Sequence, residues 1–148
     1  MRILLIEDEL TKEQDIVNFL SETNSVESIM VRRSITSGVI EIRENQYDVI
    51  LLDMSLPIYD NEDVKYMEDN EFETFGGNFV LDELDRIDYR AKVIVITAFD
   101  KLGEGQRQIG LSQVEEGLLK DFPDIFAGTV FYDASSIEWK KKLKEFLC

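Results

Sequence analysis

The chain has 148 residues, 44% of them hydrophobic, and 31 acids against 16 lysines and arginines give a formal net charge of −15. That length suits one globular domain with a sizeable core and excludes a disordered chain, while so negative a surface repels phosphate backbones and argues against nucleic acid as the main partner. With no histidine and a single cysteine, Cys148, the chain lacks a histidine general base, an imidazole or thiolate zinc site and an internal disulfide. No window approaches the ~18 consecutive apolar residues of a membrane helix. Met1 leads straight into Arg2-Ile3-Leu4-Leu5-Ile6 with no signal-peptide pattern. A soluble, cytoplasmic, single domain over residues 1–148 is expected.

In chain order, the first apolar run, 2–6, predicts a strand. Residues 11–22 then predict a helix, opened by Thr11 and Gln14 in capping-box spacing, with Ile16, Phe19 and Leu20 turned inward. A second strand is predicted over 28–32, and a helix over 35–44 with Ile35, Val39 and Ile42 on one face. The third strand, 48–52, is almost wholly aliphatic, as a strand buried on both faces requires. Residues 58–75 are acidic, aromatic and weakly periodic, and read as an inserted loop before Gly76-Gly77. A helix over 78–87, aligned by Val80, Leu84 and Ile87, leads to a fourth aliphatic strand at 92–96. Residues 98–111 hold three glycines and read as a second long loop. Ser112 and Glu115 then suggest a helix start, 129–132 a fifth strand, and Ser135 with Glu138 the opening of a last helix carrying Trp139, Leu143 and Phe146. Five strands each followed by a helix predict a doubly wound α/β fold with a parallel sheet and helices on both faces. In such sheets ligands bind outside the carboxyl ends of the strands.

Those ends carry chemistry. The first strand runs into Glu7-Asp8-Glu9, the third into Asp53 and the fourth into Thr97-Ala98. Converging carboxylates repel one another unless a proton or a cation intervenes. With oxygen ligands alone, the natural cation is Mg2+. A carboxylate beside such an ion can attack a phosphoryl group in line, so the pocket suits an acyl phosphate on Asp53, with Thr97 within reach of the transferred group. Taken singly, each acid also reads as a helix cap or a turn former. It is their occurrence together, at three strand ends, that points to chemistry.

Ile6-Glu7-Asp8-Glu9, the stretch Tyr47 to Pro57 with Asp53 followed four residues later by Pro57, and Ile94-Val95-Ile96-Thr97-Ala98 resemble the response-regulator receiver family. The resemblance implies a flavodoxin-like five-stranded sheet of order 2-1-3-4-5. It implies that Glu7 and Asp8 are the acidic pair, Asp53 the phospho-acceptor, Thr97 the switch hydroxyl, and the backbone carbonyl of Ser55 the last ligand of a Mg2+ site. It further implies a histidine kinase or small phosphodonor upstream, a separate protein downstream, and the last-helix face as a dimer or partner surface.

The chain departs from the family at the end of strand five, where a lysine is normal and Tyr132-Asp133-Ala134 stand instead. That ammonium ordinarily pairs with the acceptor carboxylate, a contact worth on the order of several kcal/mol before desolvation. Lys101, four residues past Thr97, is a candidate substitute, an exposed loop lysine being its plainer reading. Phe131 and Tyr132 point to opposite faces, and either is a candidate for the aromatic switch. The insertion before Gly76-Gly77 is the second departure. Its aromatics interleaved with acids fit either a partner-binding flap or a solvated loop.

Two functions therefore stand side by side: a phosphorylated stand-alone receiver controlling a protein–protein interaction, and a pseudo-receiver that binds a partner without phosphorylation. An enzyme is the third class. An aspartyl-nucleophile phosphatase needs a second Asp two residues on, where Ser55 stands, and no glycine-rich phosphate loop is present. Chemistry beyond phosphoryl transfer to Asp53 itself is not expected.

Overall fold

The structure is a computed structural model that describes residues 1–60, 72–73, 76–98, 101–102 and 109–148, with only the backbone described at 72–73, 101–102 and 109. The elements in order are β1 (Arg2–Ile6), α1 (Leu10–Ser21), β2 (Ser28–Arg32), α2 (Ile35–Glu44), β3 (Val49–Leu52), β4 (Leu56–Pro57), β5 (Phe72–Glu73), α3 (Gly76–Arg86), β6 (Lys92–Thr97), β7 (Lys101–Leu102), β8 (Ile109–Gly110), α4 (Leu111–Asp121), β9 (Phe126–Phe131) and α5 (Glu138–Leu147). One parallel sheet runs β2-β1-β3-β6-β9. Counting only these five strands, that is the expected order 2-1-3-4-5, and the flavodoxin-like fold class holds.

Alternation along the strands divides the core in two. Leu4, Ile6, Ile50, Leu52, Val93 and Val95 face α2, α3 and α4, where Ile42, Val80, Leu84 and Leu118 cover them. Ile3, Leu5, Leu51, Ile94, Ile96 and Val130 face α1 and α5, against Ile16, Leu20, Trp139 and Leu143. All four residues of β3 are buried, as its aliphatic run requires.

Several expectations need correction. The fifth sheet strand begins at Phe126 rather than at 129, and it ends at Phe131. Ala127 and Gly128 interrupt the apolar run that marks a strand. Yet Gly128 belongs there, because a Cβ on it would come within 2.5 Å of the Phe146 ring of α5. The start of α1 is set by Glu9 and not by Thr11: the Glu9 carboxylate accepts from the amides of Thr11 (3.2 Å) and Lys12 (3.0 Å). At α4, the Gln113 side chain accepts from the Gly110 amide at 3.3 Å, and Ser112 does not cap. Ahead of α5, Ser136 rather than Ser135 accepts from the Glu138 amide, at 3.1 Å.

The two long loops expected at 58–75 and 98–111 are not wholly irregular. Phe72–Glu73 pairs antiparallel with Leu56–Pro57, and Ile109–Gly110 with Lys101–Leu102. Residues 61–71, 74–75, 99–100 and 103–108 of these stretches lie outside the described residues, and the flap reading of the insertion falls largely on them.

Hydrogen bonds carry the sheet past its strand ends and so hold the residues that follow. The Glu7 amide donates to the Arg32 carbonyl (2.9 Å), the Asp53 amide to the Ile6 carbonyl (3.1 Å), and the Tyr132 amide to the Thr97 carbonyl (2.8 Å). The residues singled out at the strand ends thus sit on the carboxyl edge with their backbones fixed.

Candidate functional site

The site begins at the join of β1 to α1. The chain turns sharply after Ile6, and Glu7 Oε2 accepts the amides of Asp8 and Glu9, each at 3.1 Å. This fixes the Glu7 carboxylate and leaves Oε1 facing inward. Next to it in the sheet, β3 delivers Asp53, whose Oδ1 accepts the Ser55 amide at 3.4 Å as the chain turns away. One carboxylate oxygen from each of Glu7, Asp8 and Asp53 lies within 4.8 Å of the others. Glu7 is fully buried and Asp53 nearly so.

A fourth group lies among them that the sequence reading did not single out. Lys12, in the first turn of α1, has a relative exposure of 2%. Its ammonium lies 2.5 Å from Glu7 Oε1 and 3.7 Å from Asp53 Oδ1, and it donates to the Ile96 carbonyl at 2.8 Å. One side chain therefore touches the ends of β1, β3 and β6. A signal for it was present in the sequence. Lys12, Ile16 and Leu20 follow at four-residue steps, so the lysine stands in phase with the apolar stripe of its helix rather than on the solvent face.

The electrostatics follow from two acids and one ammonium out of water, Glu7, Asp53 and Lys12, with Asp8 half-buried beside them. Burial, and then the charge of Asp53, push Glu7 up to about 7, with Lys12 opposing. Burial, and then Glu7, push Asp8 up to about 6. Asp53 is raised as well, by burial above all, and Lys12 is again the main opposing influence. Glu7 Oε1 has the ion pair but no directed hydrogen bond. A cluster in this condition lacks positive charge, and its donors are all oxygens. Both features fit a hard divalent cation.

Thr97 closes β6 and is fully buried. It directly follows the carbonyl that Lys12 holds, and by alternation it shares a face with Val93 and Val95. It pairs in register with Phe131. Phe131 lies on the face of Thr129, whose hydroxyl donates to Glu115 of α4 at 2.9 Å, and is 43% exposed. Tyr132 takes the opposite face, where its hydroxyl donates to Asp15 and its ring packs 5.2 Å from that of Trp139. Of the two aromatics, Phe131 is the one on the side of Thr97. The Lys101 side chain lies outside the described residues, so its part as a substitute has no structural reading. Among the described residues, no helix is long and apolar enough to cross a membrane.

No protein-family model matches the chain. It is 27% identical over 144 residues to the uncharacterized protein y4jR of Sinorhizobium fredii (strain NBRC 101917 / NGR234), covering 97% of this chain and 95% of that one. It is 26% identical over 144 residues, with the same coverage, to the Detocs response regulatory protein DtcB of Enterobacter cloacae (strain JD6301). Among solved structures, the receiver domain of the Francisella response regulator 1452 superposes with a TM-score of 0.60 at 20% identity, over 99% of this chain and 98% of that one. The Mn2+-bound form of response regulator Rcp1 does so with a TM-score of 0.63 at 15% identity, over 98% and 90%. The fold of this chain is that of the response-regulator receiver domains.

Proposed function

We propose that the chain is a receiver in two-component-type signalling that accepts a phosphoryl group on Asp53 and thereby controls its affinity for another protein. The observation that carries this reading is the convergence of Glu7, Asp8 and Asp53 at adjoining strand ends, with Glu7 and Asp53 buried, Asp8 half-buried and the three short of positive charge. The sequence relationship to a response regulatory protein over nearly the whole chain supports it. So does the fold shared with receivers, one of them with Mn2+ bound.

Glu7, Asp8, Asp53 and the backbone carbonyl of Ser55 are the residues to hold Mg2+, which supplies positive charge against the phosphoryl oxygens. Asp53 is the nucleophile. Its free carboxylate oxygen attacks the donor phosphorus, the Asp53 Oδ–P bond forms, and the P–N bond of a phosphohistidine or the P–O bond of acetyl phosphate breaks. The bonding electron pair leaves with the donor. Glu7 and Asp8 hold the pocket's charge and geometry. Thr97 is the hydroxyl to contact the modified group, and Phe131, on its face, the aromatic to respond. Asp53 is modified once per cycle, so no turnover of a separate substrate is assigned. The kinase or small phosphodonor and the downstream protein are separate partners in a cytoplasmic setting, and the outer face of α5 is the surface offered for a dimer or partner contact.

The test is the intact mass of the protein incubated with Mg2+ and acetyl phosphate or phosphoramidate. A single phosphoryl adduct, absent in Asp53→Asn and absent without Mg2+, is expected. A chain that stays unmodified with small donors, and also with a phosphorylated histidine kinase from its own genome, supports the pseudo-receiver alternative. That alternative draws on one specific feature, the family lysine missing from the end of β9, where Tyr132 is tied to Asp15 instead.

A further inference from the structure

We propose that Lys12 supplies the phosphoryl-binding ammonium of this pocket, from the first helix instead of the last sheet strand. The inference rests on the reading of Asp53 as phospho-acceptor and concerns a residue that neither the strand-end pattern nor the family motif marks. Three observations carry it. The ammonium is buried and reaches across the carboxyl edge from α1 to the Ile96 carbonyl, 84 residues away in the chain. It stands 3.7 Å from Asp53 Oδ1, close enough for a group attached to that carboxylate to meet it, yet too far for a committed hydrogen bond to Asp53 itself. And the helix itself disfavours a lysine at this place. A cation in the first turn of a helix opposes the helix dipole, and a buried ammonium costs stability that an apolar side chain of equal length would not.

An ammonium has three donors. In the structure one goes to Ile96, and the contact with Glu7 occupies the pocket side. When Asp53 carries a phosphoryl group, its oxygens offer a stronger acceptor than Glu7, and Lys12 turns from Glu7 toward them while keeping its hold on β6. The carbonyl it holds belongs to the residue before Thr97. Lys12 therefore joins the acceptor on β3 to the switch strand β6 directly, with no side chain from β9 between them.

The alternative is a lysine that merely neutralises Glu7 and Asp53. The two are separated by comparing wild type with Lys12→Met in two measurements: Mg2+ binding by calorimetry with no phosphodonor, and the rate of adduct formation by intact mass with Mg2+ and acetyl phosphate. If Lys12 binds the phosphoryl group, Lys12→Met binds Mg2+ at least as tightly as wild type, a competing cation being gone. Its adduct nevertheless forms about 10- to 100-fold more slowly, as loss of a charged hydrogen bond predicts. An adduct rate equal to that of wild type, with tighter Mg2+ binding, overturns the proposal and leaves the phospho-acceptor reading intact. A wild type that forms no adduct overturns that reading, and the role of Lys12 with it. Should Lys12→Met fail to fold, lysine-labelled wild type answers the question by NMR. On adding Mg2+ and beryllofluoride, the side-chain resonance of Lys12 is expected to move further than that of any other lysine, and a stationary resonance overturns the proposal.

Discussion

Glu7 and Asp8 bind protons more tightly in the folded chain than in the unfolded one, and this fixes how stability varies with pH. Glu7 is pushed from 4.5 to about 7 and Asp8 from 3.8 to about 6. Between those values the folded state holds more protons, so the stability these two groups contribute is fully present below about pH 4 and is lost as pH rises toward 7. With the half-exposed Asp8 discounted for solvent screening, the loss is on the order of a few kcal/mol. With EDTA present, the melting temperature is expected to drop by several degrees from pH 5 to pH 7.5, and Glu7→Gln to flatten that slope. If the deprotonated cluster holds Mg2+, as proposed, the ion should raise the melting temperature more at pH 7.5 than at pH 5. A melting temperature that climbs across this window, with an equal effect of Mg2+ at both ends, would show that Glu7 and Asp8 do not have the raised proton affinity assigned to them. Asp53, Glu7, Asp8 and Thr97 were legible in the sequence because acids and a hydroxyl following apolar runs are conspicuous. Lys12 was not, because composition places lysine on the surface and only helical phase places this one inside.

The elements bring these residues together through close backbone contacts, of which α3 gives the clearest case. The Gly77 amide donates to the Met54 carbonyl at 3.0 Å, and a Cβ at Gly77 would lie 2.6 Å from Met54 Sδ and 3.0 Å from the Asp53 carbonyl. The start of α3 thus rests on the backbone beside Asp53, although the insertion separates it from β3 in sequence. Gly77→Ala is expected to cost ~1–3 kcal/mol in urea unfolding, as overpacking does, and to slow adduct formation by shifting Asp53. Gly117→Ala on α4, where an added Cβ meets nothing within 4 Å, should be neutral or mildly stabilising by up to about 1 kcal/mol. Equal effects of the two would show that the contact at Gly77 is slack. The same physics explains what could be read in advance at this scale. β1, β2 and α2 have the bounds their patterns predict, since continuous apolar runs and a single apolar stripe leave little choice. The start of β9 was missed because Gly128 is placed by the Phe146 ring of a distant helix, and the pattern of a strand cannot show that.

Across the whole molecule, the parallel order of the sheet sets β1, β3 and β6 side by side with their carboxyl ends at one edge, and everything assigned to the site follows from that. The chain carries a formal net charge of −15, and among the described residues the buried ammonium of the pocket comes from α1 rather than from the end of the last sheet strand, where receivers carry a lysine. Local patterns give the sheet and its acids. Which cation completes the pocket depends on how a helix docks on the sheet, and that is a property of the assembled fold.

The most direct test is an amide and side-chain NMR map of the folded protein with Mg2+, before and after adding beryllofluoride as a phosphoryl mimic. It surveys all three strand ends at once and needs no cognate kinase. The phospho-acceptor reading predicts its largest shifts at Glu7, Asp8, Asp53 and Thr97, with smaller ones at Phe131, and none in Asp53→Asn. A spectrum unchanged at these positions would contradict it and leave the chain a binding module on a receiver fold.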